Sequence, residues 1–392
     1  MTEPDQPPPV PLWPLALITL SGTSAMHMFV PALPDAATSL GTSATLVQMT
    51  IGIYILGLGL GQLVYGPLAD SFGRRPLLLA GLLLFTASGL VAAVAPNVQV
   101  LVAARFAQAL GGCVGLLLPR AIVRDTSSPG RAVKRLALMS LMTMAGPGLA
   151  PLVGGAVAAS LGWRAVFVLL TGLGAFNLLL AWRLLPETGA PTGHISAASV
   201  WADYRHLLGS ARFVGLALGG GCATTASYAF ITAAPFIFVQ QLHRPLTEVG
   251  VYLGLTVVGA FLGNALASQL AGRLPIERVM LHSHRVSVAS AVLLLLSLPV
   301  LGTRVDVIVP LMFVHALGAG VCSPIVSVQV MGVLPRLIGS AAGLYGCMQM
   351  LVGAACAALV SLHADAALAT AGVLVGVGLI GQCAFFMANR SR

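Results

Sequence analysis

The sequence has very little charge. Asp, Glu, Lys and Arg make up only 8% of its 392 residues, whereas ordinary soluble domains carry about 25%. Hydrophobic residues make up 57% of the chain, and the mean hydropathy is +0.95. A water-soluble surface cannot be built from this composition, so the sequence predicts a protein that lies in a membrane.

The signatures of several enzyme classes are missing from the sequence. The six cysteines form no Cys-x-x-Cys pair and all fall in apolar runs, which argues against disulfides and zinc sites. We find no His-Glu-x-x-His, no Gly-x-Ser-x-Gly and no Walker phosphate loop. No filter-like loop interrupts a hydrophobic run, which disfavours a channel. We therefore expect no metal, no cofactor and no enzymatic activity.

The amino-terminal segment lacks the basic residues that precede the apolar part of a secretory signal peptide. Acid and proline stand there instead. We therefore expect the first apolar segment to remain as a helix of the mature protein.

Long stretches without charged residues are abundant. A helix needs roughly 20 residues to cross a hydrocarbon core about 30 Å thick. One of these uncharged runs, 188–202, is polar and is interpreted as a loop and not as a span. The remaining runs predict an all-α integral membrane protein with twelve spans, since lipid leaves backbone polar groups no water to bind. The twelve runs are 6–34, 36–69, 76–104, 106–119, 136–163, 165–182, 213–243, 249–272, 286–303, 307–335, 337–364 and 366–389.

Basic residues indicate the orientation, because cytoplasmic loops retain Lys and Arg. With an internal amino terminus, sixteen of the twenty basic residues fall on the cytoplasmic side and three on the other. Arg105 is left within the membrane. Both termini are therefore expected in the cytoplasm. The net charge of +9 then reflects contact with anionic lipid and does not require nucleic acid.

A polar stretch divides the chain into two sets of six spans. We predict a cytoplasmic tail at 1–10, a first bundle at 11–185, a linker at 186–211, a second bundle at 212–388 and a tail at 389–392. Transporters built in this way hold their substrate in a central cavity near the bilayer midplane. Gly-x-x-x-Gly pairs such as Gly259 and Gly263 predict close helix contacts.

The strongest local motif joins the second and third spans. It contains glycines at both ends of a turn, an acid and two consecutive arginines, which predicts a rigid cytoplasmic hairpin whose carboxylate holds an arginine or a helix amino terminus. Its candidate gate residues are Gly66, Asp70, Gly73, Arg74 and Arg75.

This motif resembles the signature loop of the major facilitator superfamily, and within it the drug:proton antiporters of the bicyclomycin and chloramphenicol resistance type. Segment 105–111 resembles the fourth-helix arginine motif, followed by 120–125 at the helix exit. Segments 161–164 and 185–188 resemble the entry and exit of the sixth helix. Segment 145–155 resembles the fifth-helix antiporter motif, with Gly146, Pro147, Pro151, Gly154 and Gly155.

The resemblance implies two conformational roles. Asp70 and Arg74 would form a cytoplasmic latch that stabilises the outward-open state. The glycines and prolines of the fifth helix would shape an interface that limits leakage. The resemblance also implies a monomer.

One position departs from the family. The branch usually has Asp in the first helix, four residues before Pro-Ala-Leu-Pro, where this chain has His27. One hypothesis is that His27 binds the transported proton, since imidazole exchanges protons near neutral pH. An adjacent Arg105 would disfavour its protonation by repulsion. In the other hypothesis His27 is a neutral cavity residue, and coupling is absent or carried by Asp35.

The remaining deep ionisable residues are Arg105 and His315. A charge at mid-membrane costs roughly 2.5–3.5 kcal/mol on insertion scales, so such residues usually face a cavity. We expect Arg105 to face the cavity, with Gln108 on the same helix face, and His315 to make a polar helix contact. Aromatic and flexible apolar side chains favour promiscuous binding. The candidate pocket residues of this kind are Met28, Phe29, Tyr54, Tyr228 and Phe236.

The favoured function is secondary export of small, mostly apolar molecules in exchange for protons, with substrate, protons and membrane lipid as partners. An uptake permease, or a dedicated exporter of one metabolite with weak or no proton coupling, is the alternative. The missing first-helix acid keeps this alternative open.

Overall fold

The computed structural model describes residues 10–127, 129–189, 197–270, 273–334, 337–363 and 365–390. Within these ranges the regular structure is helical and contains no strands. We number thirteen helices, in which α7 lies in the predicted linker. They are α1 Leu12–Ser39, α2 Ala44–Phe72, α3 Arg74–Ala93, α4 Val98–Asp125, α5 Pro129–Leu161, α6 Trp163–Leu184, α7 Ala197–Leu208, α8 Ala211–Gln241, α9 Leu246–Leu270, α10 Ile276–Leu301, α11 Val305–Gly332, α12 Ile338–Ser361 and α13 Ala366–Arg390.

Capping residues and glycines set several helix boundaries. Ser43 and Asn97 cap α2 and α4 by accepting backbone N–H groups three residues later. Gly73, Gly162 and Gly302 have φ angles of 94°, 81° and 72°, a conformation that glycine adopts without steric cost. These glycines produce sharp reversals between α2 and α3, α5 and α6, and α10 and α11.

Eleven of the described helices are long and apolar enough to cross a membrane. Within α5, the stretch Gly148–Leu161 is a shorter apolar helix. These eleven helices and α5 correspond to the twelve predicted spans. The chain is therefore a multi-pass helical membrane protein.

The two halves repeat one packing scheme. In the first half α1 contacts α4, α5 and α6, and α3 contacts α4 and α6. In the second half α8 contacts α11, α12 and α13, and α10 contacts α11 and α13. The contacts between halves follow the same correspondence, because α2 packs on α12 and α9 packs on α5. The result is two six-helix bundles related by an internal repeat.

Burial distinguishes the central helices from the peripheral ones. In α1 and α8, 83% and 72% of the most apolar window is buried inside the protein. The corresponding fractions are 33% in α6 and 28% in α10. The first helix of each half is therefore central, whereas α6 and α10 present their apolar side chains to lipid.

Several boundaries differ from the sequence predictions, among them the end of α3 at Ala93, which lies eleven residues before the end of the predicted run 76–104. Helix α10 begins at Ile276, ten residues before the predicted span, because its charged first turns remain helical. Run 188–202 was predicted to be a loop, and this is wrong for its described end, where α7 begins at Ala197. Leu207 of α7 is fully buried, and Tyr204 donates a hydrogen bond to the carbonyl of Leu63, 3.0 Å away. Contacts with the bundles thus stabilise a helix that lacks an apolar run.

Glycines permit a close helix crossing in the second half. A Cβ atom added to Gly263 would lie 2.2 Å from the carbonyl oxygen of Leu317 on α11. A Cβ added to Gly320 would lie 2.2 Å from the carbonyl oxygen of Ala260 on α9. Both neighbours are backbone atoms, so a larger residue requires the helices to separate.

We predict that Gly320→Ala lowers the melting temperature of the purified protein by several degrees, since overpacking costs about 1–3 kcal/mol. Gly376→Ala on α13 is the control, because the space around Gly376 is open. Thermal unfolding in detergent, followed by size-exclusion chromatography, compares the two. Equal melting temperatures would contradict the close crossing.

Candidate functional site

Arg105 is the largest fully buried side chain among the described residues. It lies on the second turn of α4, and its exposed fraction is 0%. Its Nη1 donates hydrogen bonds to the carbonyl of Ala25 on α1, at 3.1 Å, and to Oε1 of Gln108, at 2.7 Å. Both acceptors are neutral, so the guanidinium is bound here without a carboxylate.

Aromatic rings surround the same guanidinium. Its central carbon lies 4.0 Å from the ring centroid of Tyr54, and 5.6 Å from those of Phe29 and Phe167. Cation–π attraction contributes about 2 kcal/mol or more when the groups are desolvated. The Tyr54 hydroxyl also donates to the carbonyl of Gly22, at 2.8 Å, which fixes the ring. We call Arg105, Tyr54, Phe29 and Phe167 the arginine cage.

The cage leaves hydrogen-bonding capacity unused. Nε and Nη2 of Arg105, and Nε2 of Gln108, are buried and have no partner among the residues the structure describes. Gln108 is itself fully buried, one turn after Arg105 as predicted. The sequence analysis expected Arg105 to face a cavity, whereas this conformation encloses it within the first bundle.

His27 lies near the middle of α1 with 8% of its surface exposed. Its Nδ1 is 2.9 Å from the carbonyl of Thr23, to which it donates when protonated. Arg105 binds the same helix at Ala25. Two residues turn an α-helix by about 200°, so the Arg105 contact and His27 lie on opposite sides of α1. They therefore do not face each other.

The described carboxylates all lie within about two turns of a helix end or in connecting segments. Asp35 lies in the last turns of α1, and its Oδ2 accepts the backbone N–H of Trp163, at 3.3 Å. The deep charge of the described bundle is therefore the single cation Arg105. The carboxylates concerned are Asp35, Asp125, Glu187, Asp203, Glu248, Glu277, Asp306 and Asp365.

The predicted pocket residues are mostly buried in this conformation. Phe29 and Tyr54 belong to the arginine cage. Met28 and Phe236 have exposed fractions of 7% and 4%. Tyr228 is half-buried, and its ring packs against the backbone of Gly353 on α12. Tyr228 is thus the most accessible of the five.

A carboxylate organises the end of the first bundle at which α3 begins and α6 ends. Glu187 accepts the backbone N–H groups of Arg74 and Arg75, at 2.9 and 3.1 Å, at the amino terminus of α3. It also accepts those of Thr188 and Gly189, at 3.0 and 2.9 Å. Burial by itself raises the pKa of Glu187, but these four donors outweigh burial and hold the pKa below its ordinary value.

The gate arginines bind other parts of the same bundle. Nε of Arg74 lies 3.3 Å from Oδ2 of Asp125, at the end of α4. Arg75 donates to the carbonyl of Trp182, at 2.8 Å. The side chain of Asp70 lies outside the described part of the structure. Asp125 and Glu187 were therefore missed as site residues, although the motifs at 120–125 and 185–188 contain them.

The glycine-rich part of α5 contacts both halves. A Cβ on Gly154 would meet the carbonyl of Met28 on α1, and a Cβ on Gly250 of α9 would lie 2.8 Å from the carbonyl of Pro151. Gly146 lies against Thr23. Gly155 is buried. The Pro147 side chain lies outside the described part, and Gly66 has open space around it.

His315 makes the polar helix contact that the sequence suggested. Its Nδ1 lies 3.1 Å from the carbonyl of Ser287 on α10, and the Ser287 hydroxyl donates to the carbonyl of His315, at 2.9 Å. His284, which the sequence analysis did not single out, is also buried, and its Nε2 lies 2.9 Å from the carbonyl of Gly378. These histidines join α10 to α11 and α13.

The chain matches a known protein family and several of its members in sequence. The family profile of the Major Facilitator Superfamily matches residues 15–358. The chain is 29% identical over 273 residues to the multidrug transporter MdfA of Yersinia pestis bv. Antiqua (strain Angola), covering 69% of this chain and 66% of that protein. It is 25% identical over 388 residues to the bicyclomycin resistance protein homolog of Haemophilus influenzae (strain ATCC 51907 / DSM 11121 / KW20 / Rd), covering 96% of both.

Solved structures agree on the fold. The crystal structure of a D-xylose-proton symporter superposes with a TM-score of 0.77 over 96% of both chains, at 16% sequence identity. This likeness confirms the predicted all-α architecture of two six-helix bundles.

We predict that Tyr54→Leu destabilises the protein more than Tyr54→Phe does. The phenylalanine variant loses one hydrogen bond, which contributes about 0.5–1.5 kcal/mol, but keeps a ring over Arg105. The leucine variant loses the ring as well, and a desolvated cation–π contact contributes about 2 kcal/mol. Melting temperatures of the two purified variants compare these contributions. Equal losses would show that the ring contributes nothing beyond its hydroxyl.

We predict that Glu187→Gln lowers the melting temperature at pH 7, and that the difference from wild type narrows on acidification. A folded pKa below the ordinary value of about 4.3 stabilises the protein above that pH. The contribution is lost as the pH falls through the folded pKa. Asp306→Asn, which breaks an exposed ion pair with Arg304, is the control and should change little. A difference that is the same at pH 7 and pH 3 would contradict the capping role.

Proposed function

Because the chain belongs to the major facilitator superfamily, a family of transporters and not of enzymes, we propose that it exports small, mostly apolar molecules by alternating access, in exchange for protons. Relatives named for multidrug transport and bicyclomycin resistance support this class of substrate. The two-bundle fold supports the mechanism, since rocking of one bundle against the other opens a central site to each side in turn.

We propose that the protein lies in a bacterial inner membrane as a monomer, with both termini in the cytoplasm. The excess of basic residues on one side of the helices supports this orientation. The moving halves would be 11–185 and 212–388, joined by the linker 186–211. Helix α7 within this linker contacts both, because Tyr204 binds Leu63 of α2 and Asp203 accepts from Ser340 of α12, at 3.3 Å.

The coupling proposal is supported by the types of ionisable side chain that lie deep in the first bundle. Arg105 is the fixed cation, and His27 is the titratable group on the central helix α1. No described carboxylate lies at that depth. In the proposal His27 therefore binds the exchanged proton, and Arg105 holds α1 through Ala25.

The same charge favours neutral substrates. A buried cation with neutral ligands produces a positive potential that water screens weakly. Such a potential opposes the entry of a lipophilic cation and tolerates a neutral molecule. We expect neutral drugs to be exported better than cations of similar size.

The cytoplasmic cluster supports a rigid first bundle. Arg74 joins α3 to α4 through Asp125, and Glu187 joins the α3 amino terminus to the end of α6. The proposed latch between Asp70 and Arg74 would act on this rigid base. In the proposal the close contact of Gly154 with α1 limits leakage beside α5.

One observation favours the alternative of an uptake permease or a dedicated exporter with weak or no coupling. His27 is nearly buried, and its Nδ1 already has the Thr23 carbonyl as a partner. A histidine held in this way can remain neutral throughout transport.

We predict that an efflux-deficient bacterial host expressing the protein accumulates less of a neutral antibiotic such as chloramphenicol. The reduction should disappear when the proton gradient is collapsed, and in His27→Ala and Arg105→Ala. His206→Ala, which changes an exposed histidine, is the control and should behave as wild type. Tetraphenylphosphonium tests a cation, whose accumulation should change little.

Two results would contradict the proposal. Export that keeps its dependence on the proton gradient in His27→Ala would exclude His27 as the proton carrier. Unchanged accumulation of a broad panel, despite confirmed membrane expression, would favour a dedicated metabolite permease.

A further inference from the structure

An apolar groove of about 410 Å³ lies between α9, α10 and α11. It is located where α9 ends and α10 begins, away from the central helices. Its walls are mostly aliphatic, and its lining also includes Gly318. The walls include Leu266, Leu270, Leu274, Val286, Leu317 and Val321.

The groove opens toward the surrounding membrane. Leu266, Leu274 and Val286 have exposed fractions of 39%, 53% and 44%. They belong to the peripheral part of the second bundle, since only 28% of the most apolar window of α10 is buried. Side chains of this kind at membrane depth contact lipid, so the natural occupant of the groove is an acyl chain.

Basic side chains line one end of the groove. Arg278 and His282 are exposed lining residues on adjacent turns of α10. Nδ1 of His282 donates to the carbonyl of Arg278, at 2.7 Å, so Nε2 donates to a phosphate oxygen when the imidazole carries its second proton. Arg285 is exposed one further turn along. Glu277 is half-buried, and as the immediate neighbour of Arg278 it projects in a different direction.

The depth of these groups suits a phospholipid. Arg278 is the third residue of α10, so it lies close to the membrane surface, and His282 lies about 6 Å deeper at 1.5 Å per residue. A headgroup phosphate placed there reaches both groups, while its acyl chain follows Leu274 and Leu270 along α9. Guanidinium groups bind phosphate through two parallel hydrogen bonds. Basic pockets between helices on the cytoplasmic side are suited to anionic headgroups.

We propose that this groove binds one anionic phospholipid of the cytoplasmic leaflet, with its phosphate on Arg278 and His282 and one acyl chain between α9, α10 and α11. The leaflet assignment rests on the orientation given under the proposed function. The bound lipid fills the space between α9, α10 and α11 and thereby stabilises the second bundle.

The test measures thermal stability of the purified full chain in a neutral detergent. Phosphatidylglycerol is titrated in, in parallel with phosphatidylcholine of identical acyl chains and with inorganic phosphate. We expect phosphatidylglycerol alone to raise the melting temperature, and native mass spectrometry to retain one phosphatidylglycerol per protein. An equal shift with phosphatidylcholine would overturn the charge selectivity. A full shift with inorganic phosphate would identify a free-anion site and overturn the lipid proposal.

Variants test the contributions of the basic end and of the apolar part of the groove separately. The double variant Arg278→Gln/His282→Gln should weaken the apparent affinity for phosphatidylglycerol at least fivefold, and Arg278→Lys should restore part of it. Val286→Trp, which fills the groove and keeps the charges, should also weaken binding. Arg244→Gln removes an exposed charge at the opposite membrane face and should bind as wild type.

Unchanged affinity in both the double variant and Val286→Trp would overturn the proposal. These measurements require no transport, so their failure is distinguishable from a failure of the proposed function.

Discussion

The first bundle depends on how a permanently charged guanidinium is accommodated within a membrane-spanning helix. Arg105 cannot lose its proton in a protein, and a charge at the bilayer centre costs roughly 2.5–3.5 kcal/mol on insertion scales. The structure meets this constraint with a carbonyl of α1, an amide oxygen of α4 and the rings of Tyr54, Phe29 and Phe167. Four helices therefore converge on one side chain. Helix α1, which also carries His27, is held by this guanidinium through the carbonyl of Ala25.

The described ion pairs each connect residues of the same half. Arg74 binds Asp125 within the first bundle, and Glu187, at the start of the linker, binds the amino terminus of α3. The described contacts between the halves use neutral groups, as where Gly250 approaches the carbonyl of Pro151 and where Gln48 donates to the carbonyl of Thr232. Breaking such contacts leaves no buried charge unpaired. This arrangement is consistent with two bodies that rock against each other.

The sequence predicted the fold well because the constraints of lipid are severe. Twelve uncharged runs, an excess of basic residues on one side of the spans and the motif at 66–76 were sufficient for the architecture. Boundaries were less predictable. Helix α10 begins at Ile276 although its first turns contain Arg278 and Arg285, because exposed long basic side chains can extend from a helix toward the membrane surface. Helix α7 is stabilised by tertiary contacts of Leu207 that no local pattern reveals.

The site was only partly predictable, because a sequence shows which residues are rare in an apolar run but not which groups surround them. The rarity of deep charge identified Arg105 and His27, since each is isolated in an apolar run. It did not reveal that the Arg105 contact and His27 lie on opposite sides of α1, or that Phe29 and Tyr54 surround the guanidinium. Glu187 was missed because its partners are backbone N–H groups of a distant helix. Such partners have no signature in side-chain composition.

The central claim is that substrate and protons move in opposite directions. The direct measurement uses purified protein in sealed vesicles that contain a pH-sensitive dye, with no pH gradient at the start. A neutral substrate such as chloramphenicol is added outside. Inward movement of the substrate should drive protons outward, so the account predicts that the internal pH rises in wild type and does not change in His27→Ala. Substrate entry without a pH change, or with internal acidification, would contradict proton exchange.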